Sequence, residues 1–362
     1  MISIDTLIVG LYLVGIFTAL VVAHEWGHMW VAKRFGMRVE EFSVGIGPLL
    51  AQLGRDRTGT VYTVRWLPLG GFVRIAGMMP DEEAVPGSFQ SKPLHARFLT
   101  VLAGPIASVL FGFILLVIIG LTAGLPTGEP TPQVRFVQPD SPAQQAGIRI
   151  GDVLLAIDGK PVKTIENASR AIRASANKPI TLTLRRGSET LTLTVTPRLE
   201  EERDEKGNVQ KIGRIGVVWR TERRPEPLGT VIGHAARLSV GLVVGIADSL
   251  YRLVSGKGNI HEVGSIISIA SATSAAAQLG FVEVADFAAM FSIMLGVVNL
   301  LPIPILDGGY LLIFTIEALR RRKLSPEAMA RVQIAGLVIV LAIFITVFSL
   351  DIYKLVTGKL IR

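Results

Sequence analysis

Four stretches of this sequence lack any charged residue over a length that can cross a bilayer: Thr6 to Ala23, Phe98 to Gly128, Phe287 to Leu306 and Val332 to Leu350. About 20 apolar residues in a helix cover the hydrocarbon core. The chain therefore reads as an α-helical polytopic membrane protein with about four transmembrane helices. The second window is longer than needed, so part of it tilts or leaves the core. Hydrophobic residues make up 50% of the 362, and mean hydropathy is +0.50, too apolar for a soluble chain of this size. Only Asp5 is charged ahead of the first window, so the basic leader of a secretory signal is missing.

The net charge of +8 could attract nucleic acid, but the basic residues gather at window ends. Lys33, Arg34 and Arg38 follow the first window, Lys92 and Arg97 precede the second, and Arg320-Arg321-Arg322-Lys323 follows the third. Such clusters belong in the cytoplasm. Both termini and the segment between the second and third spans then lie outside. Lys354, Lys359 and Arg362 pull mildly the other way. The lipid bilayer is the expected partner, and nucleic acid is not. With no cysteine, the exported part has no disulfide and the chain no thiol chemistry.

His24-Glu25-Trp26-Gly27-His28 closes the first apolar stretch. On a helix, His24 and His28 stand one turn apart on one face and can reach a single zinc ion. Glu25 stands beside them as a general base. Polar groups at the end of a span are costly, which favours a working metal site over a bystander histidine pair. A tetrahedral catalytic zinc needs a third protein ligand. Asp307 is the best candidate, in Asn299-Leu300-Leu301-Pro302-Ile303-Pro304-Ile305-Leu306-Asp307-Gly308-Gly309. Two prolines at this spacing cannot both sit in an intact helix. The backbone therefore unwinds at membrane depth and can carry Asp307 toward the histidines. The competing reading makes Asp307 a cap of the next helix.

The segment after the second span reads as a compact domain. Gly128-Glu129-Pro130-Thr131-Pro132 is expected as a hinge. An extended run Gln133–Gln138 follows, then a short helix ended by Gly147, a strand within Ile148–Asp158, and a tight turn at Asp158-Gly159. Ile165 to Ala176 is predicted helical, and Ile180–Arg185 and Thr190–Thr196 alternate as strands. Ser141-Pro142-Ala143 through Ala146-Gly147-Ile148, Gly151-Asp152-Val153-Leu154 and Ile157-Asp158-Gly159 resemble a bacterial PDZ domain over Pro132 to Val218. In that family a peptide adds to a sheet edge with its carboxylate held by backbone N–H groups. After a charged, flexible insert (Glu200 to Lys211), Ile215-Gly216-Val217 is either that carboxylate loop, in a permuted domain, or a plain edge strand.

Leu228 to Gly258 is apolar but interrupted by His234, Arg237, Asp248 and Arg252. It is expected as an interfacial helix on the outer surface, with a fifth span as the alternative. Between the first two spans, Thr60–Arg65 and Phe72–Ile75 alternate as strands around Gly70-Gly71. This hairpin, through Gly70, Gly71 and Val73, either accepts substrate as an added strand or is a plain cytoplasmic surface feature. Gly104, Ser108 and Gly112 recur every four residues and are assigned to helix packing without chemistry. Gly45-x-Gly47 lacks the setting of a nucleotide loop.

In order along the chain, the His24–His28 motif, Phe42 through Pro48, Leu67 through Val73, Ala103-Gly104-Pro105 and Asn299 through Gly309 resemble the site-2 protease family. The likeness is greatest to its bacterial regulator of sigma-E branch, here with a single PDZ domain. The resemblance implies that His24, His28 and Asp307 bind one Zn2+ per chain, that Glu25 is the catalytic base, and that Asn299 contacts unwound substrate. It implies cleavage of transmembrane segments, such as those of anti-sigma factors or signal-peptide remnants, usually single-pass and already cut by a site-1 protease. The location implied is the bacterial inner membrane, with the PDZ domain outside and the active site toward the cytoplasm. Four parts are expected: 1–128 with the zinc motif and hairpin loop 39–76, the PDZ domain 129–218, a helical interfacial linker 219–281, and a C-terminal membrane core 282–362. Ser108 stands where the family has Asn, Tyr310 where it has His, and Gly264-Ser265 where it has Gly-Pro. A catalytically inactive PDZ tether and a metal transporter are the alternative readings.

Overall fold

The computed structural model describes residues 4–79, 82, 85–138, 141–203, 209–255, 269, 273–274, 276–277 and 279–356. The chain divides into two compact units, Met1–Gly120 with Pro227–Arg362, and Leu121–Glu226. Gly264-Ser265 lies outside the described residues.

The first unit is a helical assembly. Helix α1 (Ile4–Arg34) carries the histidine motif within its last turns. Helix α2 (Leu94–Thr122) runs back along it: Gly27 of α1 lies against Ala103 and Ala107, and Ile16 and Leu20 share a core cluster that Phe111 and Leu115 pack against. Helices α6 (Phe281–Asn299), α7 (Asp307–Arg320) and α8 (Pro326–Val356) complete the assembly. A fifth long helix, α5 (Leu228–Val254), was not among the charge-free windows. Among the described residues, five helices are long and apolar enough to cross a membrane, by length and composition alone. The sequence predicts a helix from Leu228 to Gly258, lying on the outer surface or crossing as a fifth span, and α5 occupies that segment. Its Ala235 is buried with Leu116 of α2 and Ala289 and Ile293 of α6.

Between α1 and α2 the chain forms two long antiparallel strands, β1 (Val39–Arg55) and β2 (Val61–Ile75). Thr60–Arg65 and Phe72–Ile75 do not pair with each other, as their alternation suggested. Both fall within β2 or at its start, and their partner is β1. Each strand is bent: Glu41 to Val44 pairs with Gly71 to Arg74 on one side and stands beside Val61 to Val64 on the other. Leu49 to Arg55 then covers the far side of Val61 to Arg65. Gly71–Ile75 is left at the margin of this arrangement. Glycines at positive φ (Gly45, Gly47 and Gly54) break the alternation of β1, which hid it as a strand.

The second unit is α+β. Its sheet runs β10 (Val217–Arg224), β3 (Leu125–Val137), β4 (Val153–Ile157), β6 (Ile180–Arg186), β7 (Glu189–Val195), with the short β5 (Lys160–Pro161) paired to β4. A core of Val134, Leu154, Leu182 and Leu184 packs against Ile165, Ala168 and Ile172 of α4 (Ile165–Ala174). Ser141 caps the short α3 (Pro142–Gln145), and Thr164 caps α4. Asp158 and Gly159, at φ 48° and 74°, make the predicted turn.

Two expectations are corrected here. The proline-rich stretch 128–132 is no hinge but part of β3, paired with β10 from Leu125 opposite Arg224 to Val137 opposite Val217. Proline survives in a strand where no ladder N–H is required of it. The charged insert is a hairpin of β8 (Arg198–Arg203) and β9 (Val209–Arg214), with Glu200 opposite Ile212 and Glu201 opposite Lys211.

Asp152 organises the turn before β4. Arg186 reaches both its oxygens at 2.8 Å, and the Arg149 backbone N–H donates to it at 2.8 Å. Burial pushes its carboxyl up, but these donors outweigh that and hold it below the ordinary carboxylate range. A depressed carboxylate stabilises the fold above its unfolded pKa, and the contribution is lost as pH falls through the folded value. Asp152→Ala is expected to destabilise the second unit by about 2 kcal/mol. Hydrogen exchange of the intact protein should show faster exchange in β4 and β6, and the gap from wild type should narrow in acid.

Candidate active site

The site begins with α1, where His24 and His28 project from one face, one turn apart. Its second part is the break between α6 and α7. Residues 300–306 are non-helical, as Pro302 and Pro304 require, and Asp307 opens α7. Ile305 sits at φ 90°, a strained setting for a β-branched residue. Such strain, of order 1–3 kcal/mol, persists only where surrounding packing enforces it. Asp307 does not cap α7; the cap position is Leu306, without a side-chain bond.

The break brings Asp307 to the histidines. Asp307 Oδ2 lies 3.1 Å from His24 Nε2 and 3.5 Å from His28 Nε2, and the two Nε2 atoms are 3.2 Å apart. Ligands held about 2.0–2.1 Å from a tetrahedral ion stand about 3.3–3.4 Å from one another. The triangle matches that spacing. Asp307 Oδ2 is also buried with no hydrogen-bond partner among the described residues. Three lone-pair atoms facing one point, one of them orphaned, fit a divalent cation, and these are the residues that could hold it.

Helix α2 orients the imidazoles. His28 Nδ1 lies 2.8 Å from the Thr100 carbonyl, so it carries the proton and leaves Nε2 free to ligate. His24 Nδ1 is 2.9 Å from Ser108 Oγ, and Ser292 of α6 donates to the Ser108 carbonyl at 2.7 Å. The small-residue face of α2, assigned above to packing alone, therefore also shapes the site. A Cβ on Gly104 would collide with the His28 ring, so only glycine lets α2 approach so closely. The spacing of Gly104 and Ser108 was visible in the sequence, but its partner was not.

Glu25 receives a hydrogen bond from the Val73 backbone N–H at 3.0 Å. That N–H points away from β1 and toward α1, so the margin of β2 lies against the reacting groups. A cavity of about 360 Å³ collects His24, Glu25, His28 and Asp307 with Gly70, Gly71, Val73 and Asn299. Tyr310 lines it too, its hydroxyl accepting from Gln333 Nε2 of α8 at 2.7 Å. Ile215, Gly216 and Val217 belong to the second unit. The Ile215 side chain is buried in that unit's core, and its carbonyl accepts from Ala143 N–H at 2.9 Å. Gly216 is at φ 76° beside Ser141, so this loop offers backbone rather than side chains.

The model of Peptidase family M50 matches residues 12–343. A Rhizobium meliloti protein is 36% identical over 92% of this chain and 93% of its own length. Regulator of sigma-W protease RasP of Bacillus subtilis is 29% identical over 94% and 97%. Metalloprotease MmpA of Caulobacter vibrioides is 30% identical over 95% and 96%. Among solved structures, a PDZ domain of a Listeria monocytogenes SdrC-like protein matches 24% of this chain and 84% of its own, at 22% identity and TM-score 0.19. The chain belongs to Peptidase family M50, the site-2 proteases, and is an intramembrane zinc metalloprotease.

Removing the Ser108 hydroxyl should loosen the metal while leaving the fold in place. Ser108→Ala is expected to weaken zinc binding about 10- to 100-fold, read by competition with a chelating indicator. Unchanged affinity would mean that His24 needs no partner at Nδ1.

Proposed function

We propose that His24, His28 and Asp307 hold zinc and that Glu25 is the general base for hydrolysis of a peptide bond within a transmembrane segment. The convergence of Asp307 on the histidine pair carries this reading. When bound, zinc lowers the pKa of water toward about 7 and polarises a carbonyl oxygen. Glu25 takes the proton of the attacking water and returns it to the leaving amine. The Val73 N–H orients the Glu25 carboxylate, and Asn299, at the end of α6 and on the cavity wall, steadies unwound substrate.

A helical peptide bond is shielded by its own hydrogen bonds, so the substrate must be pulled open. The margin of β2 offers backbone groups for an added strand beside Glu25. The exposed Leu49, Leu50, Leu53, Trp66 and Leu67 favour a hairpin that dips into lipid over a plain cytoplasmic surface feature. Substrates are single-pass membrane proteins, first shortened by another protease, and the second unit is a PDZ domain that binds peptide at β10 and the loop Ile215-Gly216-Val217.

Helix directions support one orientation. Helices α1 and α6 run the same way and α2 opposite, since Ser108 meets both His24 and Ser292 while Gly296 packs on Pro105. The end of α2 and the start of α6 thus share one side. A single crossing by α5 would put α6 on the wrong side, which supports α5 as a helix along the outer surface. The stacked Trp26 and Trp30, about half exposed, with Arg34 over Trp30, mark a membrane boundary near the histidine pair. With the basic clusters inside, that boundary is the cytoplasmic face of a bacterial inner membrane.

Glu25→Gln should abolish cleavage of a reconstituted transmembrane substrate while zinc content stays at the wild-type level. A variant that still cuts would remove Glu25 from the chemistry. Val73→Pro deletes the N–H at the strand margin. It should slow cleavage at least about tenfold without releasing zinc, and wild-type turnover would dismiss the added-strand step.

A further inference from the structure

Beside the catalytic cavity lies a buried ion pair with no part in the mechanism above. Arg97 of α2 and Glu317 of α7 meet at 3.2 Å, with side chains 8% and 6% exposed. The carboxylate is well served: Oε2 accepts from Arg97, and Oε1 accepts from the Leu324 backbone N–H at 3.0 Å. The guanidinium is not. It lies 5.1 Å over the Phe314 ring, and its buried Nε–H has no hydrogen-bond partner among the described residues. An unpaired buried donor is costly, the more so on a charged group. Arg97 therefore calls for a ligand that brings an acceptor.

Arg97 lines a cavity of about 220 Å³. Met78 and Tyr310 line both this cavity and the catalytic one, so the two are a side chain apart. The strand margin leads the same way: Val73 and Ile75 line the catalytic cavity, and Met78, three residues on, lines both. An extended peptide repeats its side-chain direction about every 7 Å. One bound along that margin would bring a side chain to the second cavity within a few residues of the scissile bond. Phe89, Phe314 and Met329 give apolar walls for a methylene stem. Lys323, which donates to the Gln90 carbonyl at 3.0 Å, adds a second positive charge against the single Glu317. A carboxylate is favoured over an amide.

We propose that this cavity is a substrate subsite for a glutamate side chain near the scissile bond, held by Arg97. The proposal rests on the protease reading of the neighbouring cavity. To test it, zinc-loaded full-length protein in bilayers is given competing transmembrane substrates with Glu, Gln, Leu or Lys at each position flanking the scissile bond. At one position Glu should be cut about tenfold faster than Leu, with Gln between and Lys slowest. In the double variant Arg97→Met/Glu317→Leu, which replaces the pair by apolar groups of similar size, the Glu-to-Leu ratio should fall to about one. That ratio is taken within one preparation, so it does not depend on how much variant folds. If the double variant gives no active protein, Met329→Trp, which fills the cavity from α8, should abolish the same preference. No position preferring Glu, or a preference that survives the substitutions, overturns the subsite. A wild type that holds zinc yet cuts no substrate overturns the protease reading itself.

Discussion

The structure depends on three lone-pair atoms, two from α1 and one from the start of α7, meeting in a setting largely shut off from water. Placed 3.1–3.5 Å apart, they repel or stay unsatisfied unless a metal cation or a proton lies among them. Much of the helical unit serves that meeting. Helix α2 must carry glycine at 104 to admit the His28 ring, and it offers Thr100 and Ser108 to the outward nitrogens. The path from α6 to α7 must break, and the strain at Ile305 accompanies the sharp return that delivers Asp307.

The same geometry bears on a problem particular to this chemistry, which is hydrolysis where both water and extended peptide are scarce. The margin of β2 presents a backbone donor at the base, and a second cavity, apolar-walled with Arg97 in its lining, adjoins the catalytic one. A sheet edge is usually an aggregation hazard that proteins cover. Here the edge faces α1 and the reacting groups, where an extended chain is what the reaction needs. Tyr310, where relatives of this type were expected to carry histidine, stands between the two cavities with its hydroxyl tied to Gln333 of the last helix.

Local patterns were legible where one short-range force dominates. The i, i+4 histidine pair, the two prolines that forbid a helix before Asp307, and the Asp158-Gly159 turn each follow from neighbouring residues. Reading failed where partners are distant. β1 was hidden because its glycines break alternation, and β2 was split because Gly70-Gly71 looks like a turn when its long partner is unknown. The prolines of 128–132 looked like a hinge because a one-sided ladder, which tolerates them, cannot be inferred without β10.

From its sequence alone this chain is bound to a membrane, to a histidine pair on one helical face, and to a broken helix ahead of Asp307, since hydropathy, helical period and proline sterics act over a few residues. Which groups complete the site was settled only by tertiary packing. Ser108 against His24, Val73 against Glu25 and Arg97 against Glu317 join positions 84, 48 and 220 residues apart. Such pairings depend on how helices and strands approach one another, and no local preference encodes that approach.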